Sequence, residues 1–398
     1  MHRRSLLALA GTSLAFLTLG FTGARADEYR VSGPVIHQNL AIYLVHGKSA
    51  PGPVPLTLDE ALGKRVVKVH ETGNVNELQI ENLGSDEVFV QSGDIVKGGK
   101  QDRVLTVSLV LPPRSGRIPI ASFCVEQGRW TARGKEDVKT FATASAVVPS
   151  REAKIAMKAP LPVAAQPDPT GGVQRGQLRA SAFASETGTR QHEVWAKVRK
   201  VQEGLSSNLG VSVNAAASQT SLQLALENEK LKDAQAGYLA ALKPAGEKDS
   251  DVLGYVFAID GKLNSAEIYP SNGLFRKMWP KLVQASITEA IGQKNSGGEP
   301  TPSGDAAQAF LDAAAKGKSS EKPLAAQVQL ETRDSDKSLY FETRTAAGRT
   351  AAIWRSKGCA AHRGKRVRGG QYRTIVSRIA CRVLASRQPA ETGVGRAI

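Results

Sequence analysis

The sequence predicts an α+β protein with a β-rich, sandwich or barrel-like N-terminal half and a C-terminal half of helices and hairpins. Three observations carry this reading. Short apolar runs rich in branched residues, separated by turn signals, fill positions 35–125. Beyond a Pro/Gly-rich stretch at 157–177 the apolar period lengthens to that of a helix. Asp260-Gly261 then stands between two apolar runs, the strongest short hairpin signal.

In chain order, "LAIYLV" (40–45) reads as a buried strand. "TLDEALGK" (57–64) reads as a helix with Thr57 as its N-cap. "NELQIEN" (76–82) alternates, with Leu78 and Ile80 on one face, and "DEVFVQ" (86–91) is a short strand. "DRVLTVSLVL" (102–111) reads as one long strand, and "RIPIASFCVE" (117–126) as the next, after the turn "PPRSG". "HEVWAKVRKVQEGL" (192–205) puts Val194, Val198, Val201 and Leu205 on one helical face. Residues 218–242 read as a second long helix whose stripe is broken only by Glu227. A hairpin over 251–269 follows, then a helix over 279–291 with Pro280 in its first turn, an alanine-rich helix at 304–317 and a closing pair of strands ending at 337–344.

Domain organisation follows from composition. Residues 1–26 read as a signal peptide: Arg3-Arg4, the apolar run Ser5–Phe21, and Ala24-Arg25-Ala26 as a cleavage site before Asp27. Arg3-Arg4 before Ser5-Leu6-Leu7 is compatible with the twin-arginine route, so the mature chain is expected outside the cytoplasm, in the periplasm or secreted. Retention of this segment as an uncleaved anchor is the other reading. No later stretch is apolar and long enough to span a bilayer. The parts are then 27–156 (β-rich), 157–177 (linker), 178–345 (α+β) and 346–398 (a basic tail). From Ala346 onward ten Arg and two Lys face one Glu, and the leader adds three Arg, so only +2 of the net charge of +16 belongs to 27–345. A nearly neutral body argues against a dedicated nucleic-acid surface. Three readings of the tail stay open: a reading-frame extension, a disordered basic arm, or a unit closed by Cys359 and Cys381.

The chemistry is narrowed more by exclusion than by motif. H-E-x-x-H, C-x-x-C and G-x-S-x-G do not occur, and the five histidines outside the leader are scattered, so no metal site is expected from local spacing. A lone His such as His37, His46 or His70 is more often structural, yet a triad assembled from distant residues remains open. Cys124, the one cysteine of the body, sits in an apolar run and reads as a small buried hydrophobe. "SGDIVKGGKQDRV" (92–104) invites comparison with a phosphate loop. Aligning Gly99-Lys100 on the G-K of such a loop puts Asp94 at its first glycine and Gln101 at its hydroxyl position. The segment also joins strand to strand, so no helix N-terminus faces an anion. It reads as a hairpin whose Gly98-Gly99 turn takes positive φ. Lys97, Lys100 and Arg103 crowd this turn with Asp94 and Asp102, and a second polar cluster, Glu126-Gln127-Gly128-Arg129-Trp130, follows the last strand. Solvated turns are the plainer reading of both; an Arg beside a Trp can also grip an anion and stack on a ring.

The run "NELQIENLGSDEVFVQSGDIVKGGKQDRVL", its continuation "LPPRSGRIPIASFCVEQGRW", and the later "GYVFAIDGKLNSAEIYPSNGLFRKMWPKL" and "LYFETR" resemble the ARG and Rhodanese-Phosphatase-superfamily-associated Protein domain, over roughly Leu40 to Arg344. Gly93, Asp94, Lys97, Gly98, Gly99, Lys100, Gln101, Asp102 and Arg103 match the family's hairpin signature, and Glu126 to Trp130 its second motif. The resemblance implies a link by association to ADP-ribose or NAD chemistry; it implies no reaction, and an exported member weakens an intracellular ADP-ribose role. The expectation is a binding module for an anionic, nucleotide-like or sugar-phosphate ligand, with Lys97, Lys100, Arg103 and Arg129 holding charge and Trp130 stacking. Asp94, Lys97, Lys100, Gln101, Asp102, Arg103, Glu126, Gln127, Arg129 and Trp130 form the candidate ligand site. Hydrolysis would use Asp94, Asp102 or Glu126 as acid or base. The alternative is an envelope structural or protein-interaction module without a small-molecule ligand, its charges paired internally. The cofactor is unknown.

Overall fold

The computed structural model describes residues 29–158, 173–294, 298–325, 328–334, 338–345 and 350–357. The leader, most of the Pro/Gly-rich stretch and the tail beyond 357 lie outside them. The chain opens with a hairpin of β1 (Arg30–His37) and β2 (Leu40–His46), the latter buried throughout. β3 (Leu56–Thr57) enters α1 (Leu58–Gly63) through a capping box: Thr57 Oγ1 accepts from the Glu60 N–H, and the Glu60 carboxylate accepts from the Thr57 N–H. Then come β4 (Val67–Glu71), β5 (Glu77–Asn82), β6 (Val88–Val90), β7 (Asp94–Gly98), β8 (Arg103–Leu105), β9 (Leu109–Leu111), β10 (Gly116–Cys124) and β11 (Phe141–Val147). The helices α2 (Arg151–Lys158), α3 (Val173–Leu209), α4 (Leu222–Leu226), α5 (Glu229–Leu242) and α6 (Ala245–Lys248) precede the hairpin β12 (Val252–Ile259) and β13 (Lys262–Ile268). α7 (Asn272–Gln293), α8 (Gly304–Ala315), β14 (Lys318–Ala325), β15 (Val328–Asp334), β16 (Ser338–Thr345) and β17 (Thr350–Lys357) complete the described chain.

A six-stranded sheet, ordered β11-β7-β8-β10-β5-β4, curls into a nearly closed barrel. The edge strand β4 comes back to the entry of β11, where His70 bridges Thr140 and the Glu71 N–H donates to the Lys139 carbonyl at 2.9 Å. Val69, Leu78, Ile80, Val96, Leu105 and Ile120 belong to one core cluster, with Leu58 and Ala61 of α1 among its members. The alternation read at Leu78 and Ile80 is thus the inward face of the barrel.

The second sheet has eight strands, β1-β2-β12-β13-β17-β16-β15-β14, and is antiparallel at every junction. Leu40, Ile42 and Leu44 of β2 join the core of α3, α5 and α7, while Ala41, Tyr43 and Val45 join that of α8. β2 pairs with β12, so the two halves share one sheet. β17 lies between β13 and β16 with Arg355 wholly buried, so the ordered sheet passes the boundary at 345 and takes in residues assigned to the basic tail.

Three single elements also differ from expectation. The expected strand 102–111 is split: β8 pairs in the barrel and β9 in a small sheet with β6 and β3. The polar residues of the run cause this, since Ser108 Oγ accepts from the Ser92 N–H at 2.9 Å and Ser92 Oγ donates to the Thr106 carbonyl at 2.8 Å, turning the chain out of the barrel. The expected helix 218–242 is broken where Glu227 interrupts the stripe, because Asn228 caps α5 by accepting from the N–H groups of Lys230 and Leu231. The helix expected from Trp279 starts at Asn272, capped by Ser271, and Pro280 is internal to it. The Asp260-Gly261 turn is as expected, with φ of 48° and 76°.

Candidate functional site

The signature hairpin pairs β7 with β8 in the register Ile95↔Val104 and Val96↔Arg103. Gly98 and Gly99 hold φ of 115° and 55°, and a Cβ on Gly99 would stand 2.3 Å from the Phe141 ring. Glycine is therefore required there by backbone and by space. Asp102 closes the turn, its Oδ1 accepting from the Gly98 N–H at 3.0 Å.

The second motif folds directly against this turn. Arg129 donates Nε to Glu126 at 2.8 Å and its terminal nitrogens to the carbonyls of Gly98 and Gly99, both at 3.2 Å. The Asp102 N–H donates to Glu126 Oε2 at 3.0 Å, and both carboxylates are 0 % exposed. Arg133 completes the cluster: it reaches Asp102 at 2.9 and 3.0 Å, Glu126 at 3.3 Å and Glu136 at 2.9 Å. Ser221, the N-cap of α4, donates to Asp102 at 2.7 Å. Burial alone would raise the Glu126 carboxyl, but hydrogen bonds from Arg129, Ser218 and the Asp102 backbone hold it below its usual range. Burial pulls Arg133 down, and Asp102 and Glu136 more than reverse that, so it stays charged. Glu126 is thus held ionised beside Arg129 and Arg133, and Asp102 is tied to Arg133 by two hydrogen bonds.

Arg103, also 0 % exposed, donates to Glu71 at 3.1 Å, to the Val75 carbonyl at 2.7 Å and to Cys124 Sγ at 2.6 Å. Burial pushes the Cys124 thiol up to about 11 despite Arg103, so the buried-thiol reading fits its surroundings. Above Arg103 lies Trp130, 41 % exposed, with the Arg103 guanidinium 5.5 Å and Lys100 Nζ 5.1 Å from its ring centroid. Val75 and Val138 are the other exposed large apolar side chains of the loops at this barrel end.

Asp94 and Lys97 reach other elements. Lys97 pairs with Glu227 at the α4–α5 break, 2.8 Å away. Asp94 accepts from Lys281 of α7 at 2.6 Å, and Lys281 also reaches Asp59 at 3.2 Å. Burial pushes the Asp94 carboxyl up to about 6, against the pull of Lys281. Lys281, with Gln223, Glu227, Gln235, Gln284 and Thr288, lines a polar cavity of about 70 Å³. Gln101 is buried; Gln127 is exposed and exchanges backbone hydrogen bonds with Thr220 Oγ1. The structure thus brings Lys100, Gln101, Asp102, Arg103, Glu126, Arg129 and Trp130 to one corner and sends Asp94 and Lys97 to another set of partners.

Sequence reasoning missed Arg133, Glu136, Ser221, Glu71 and Lys281. Lys281 had a readable signal, since it shares a helical stripe with Leu274, Met278 and Ala285 and a charge on an apolar stripe needs a partner. Glu71 and Ser221 had none: the barrel's closure brings in Glu71, and the docking of α4 on Val125 brings in Ser221. Among the described residues no group of three His, Cys, Asp or Glu could hold a metal ion. None of the described helices is long and apolar enough to cross a membrane.

A nearly closed barrel and a separate eight-stranded antiparallel sheet with packed helices, together with a glycine hairpin clamped by buried Arg–carboxylate pairs, define the class of protein. The chain belongs to the ARG and Rhodanese-Phosphatase-superfamily-associated Protein domain family (ARPP-1), whose model matches residues 28–353. The match runs past Arg344, where the sequence alone showed no further family feature, and ends inside β17. No curated protein and no solved structure matches the chain.

Proposed function

We propose that the mature chain is an exported protein that binds an anionic, nucleotide-like or sugar-phosphate ligand at the rim of the signature corner. Trp130 would stack on the ligand's ring and Lys100 would meet its charge. One observation carries this reading: among the described residues Lys100 enters no ion pair, and its ammonium lies 5.1 Å from the ring of a Trp that is 41 % exposed. Lys97, Arg103 and Arg129 are each paired with a carboxylate, so they are left as supports. Export rests on the leader sequence, whose arginine pair is compatible with the twin-arginine route.

The same pairing favours a second reading. With Glu71, Glu126 and Glu227 neutralising three of the four nominated cations, the hairpin is a structural corner and the chain an envelope scaffold or protein-interaction module. Thermal unfolding of the chain from Asp27 against ADP-ribose, NAD, nucleotides and sugar phosphates separates the two. A ligand at about 100 times its Kd adds about 2.7 kcal/mol. A shift that disappears in Lys100→Ala and Trp130→Ala but survives Lys97→Ala supports ligand binding; no shift across the panel moves the weight to the scaffold.

A further inference from the structure

Ser32, His46 and Asp251 are far apart in the chain and meet at one end of the eight-stranded sheet. Ser32 Oγ lies 2.7 Å from His46 Nε2, and His46 Nδ1 lies 2.8 Å from Asp251 Oδ1. The topology produces this contact. β2 runs between β1 and β12, with His46 registered to Arg30 on one side and to Val252 on the other. Ser32 is registered to Leu44, two residues along β2 from His46, which places it on the same face of the pleat.

We propose that these residues form a serine-hydrolase site, with Ser32 as nucleophile, His46 as general base and Asp251 as the carboxylate that orients the imidazole. The order of contacts is the one such chemistry needs: hydroxyl to one ring nitrogen, carboxylate to the other. Ser32 sits part-exposed on an edge strand, whereas His46 is 5 % exposed and held in place. The hydrogen bond from His46 keeps the Asp251 carboxyl below its usual range, hence ionised as an acceptor for Nδ1–H. Gly33, next after the nucleophile, falls in a register shift and is paired with no β2 residue.

Beside these strand ends lies a cleft of about 600 Å³, lined by Tyr29, Lys48 and Leu253 but by none of Ser32, His46 and Asp251. Pro53, Val110 and Leu274 make that neighbouring cleft largely apolar, so an acyl chain extending into it from Ser32 would be an apolar one. Ser32 Oγ would attack the ester carbonyl carbon while His46 Nε2 takes the hydroxyl proton. The C–O bond to the alcohol then breaks, and His46 returns that proton to the departing alcohol. A water, deprotonated by His46, attacks the acyl-serine, releases the carboxylic acid and restores the Ser32 hydroxyl.

The test is active-site labelling of the full chain with a fluorophosphonate, with peptide mapping by mass spectrometry, beside hydrolysis of p-nitrophenyl butyrate. One adduct on Ser32 is expected, lost in Ser32→Ala, with turnover lowered on the order of 100-fold in His46→Gln. Since His46 is buried and its variant can fail to fold, Asp251→Asn at a half-exposed position serves as the second variant and should slow labelling while keeping the wild-type melting temperature. Absence of a Ser32 adduct on the wild-type chain, or equal labelling rates in Asp251→Asn, overturns the proposal and leaves the three residues as a tie between strand ends.

Discussion

Arg133 grips Asp102 through two hydrogen bonds of 2.9 and 3.0 Å, one to each carboxylate oxygen. The pair has almost no solvent contact, with side chains 8 % and 0 % exposed. Removing Arg133 takes the nearest cation from Asp102 and leaves Arg129 3.6 Å away, so the cost approaches that of a broken buried pair, about 3–5 kcal/mol. Arg133→Met is expected to lower unfolding stability by that amount in urea titration. Lys97→Ala, which breaks a pair with an exposed Glu227, should cost about 1 kcal/mol or less. Equal costs for the two variants would mean that Arg133 and Asp102 are solvated in solution.

Gly99 makes a sharper prediction. Alanine there meets two penalties, the φ of 55° and the Phe141 ring 2.3 Å from the new Cβ. Overpacking and backbone strain together should cost about 1–3 kcal/mol. Pairing Gly99→Ala with Phe141→Leu should recover the steric part and leave the backbone part. A double-mutant cycle by chemical unfolding measures this, and strict additivity would exclude the clash.

Asp94, although paired with Lys281, gives a pH dependence of opposite sign to that of a carboxylate whose pKa its partner lowers, because burial outweighs the pairing. Its folded pKa is raised to about 6 by burial, above the ordinary 3.8. The folded state therefore binds the proton more tightly than the unfolded chain. The resulting stabilisation is present below about 3.8 and is lost as pH rises through about 6. Glu126 and Glu227, both lowered, contribute in the other direction, so the difference between wild type and Asp94→Asn isolates the group. Urea midpoints at pH 4, 5, 6 and 7 should show wild type losing stability relative to Asp94→Asn across this window. A flat difference, or a carboxyl NMR titration of Asp94 centred near 4, would refute it.

What was legible in the sequence had a local cause. Thr57 and Glu60 announce a capping box within three residues, and Asp260-Gly261 announces a turn within two. The hairpin and the second motif could each be named because Gly98-Gly99 and Glu126–Trp130 are short local runs, whereas the clamp of Arg129 on the Gly98 and Gly99 carbonyls was not legible. The partners were not legible where the fold supplies them from a distance. Glu71 reaches Arg103 only because β4 closes the barrel, and Glu227 reaches Lys97 only because a helix breaks beside it. The split of the strand at 106–108 was hidden because Thr106 and Ser108 keep the alternation of a strand, while the Thr106 carbonyl and the Ser108 hydroxyl bond to Ser92. Ser32, His46 and Asp251 had no motif at all; three neighbouring strands of one sheet bring them together.

Cys124 offers a prediction about reactivity. A nucleophilic thiol needs to be exposed and ionised, and this one is neither. It is 0 % exposed, and burial pushes its thiol up to about 11, with Arg103 only partly offsetting that cost. Arg103 also donates to Glu71 and the Val75 carbonyl, so its charge is shared away from the sulfur. In the folded chain Cys124 should therefore resist iodoacetamide at pH 8, and it should react at the rate of an ordinary cysteine once urea unfolds the barrel. Peptide mapping is needed to read Cys124 apart from Cys359 and Cys381. Arg103→Met should weaken the barrel and speed alkylation by opening the site. Rapid modification of Cys124 in the native wild-type chain would show that the closed end of the barrel opens in solution, and would return the thiol to the set of candidate nucleophiles.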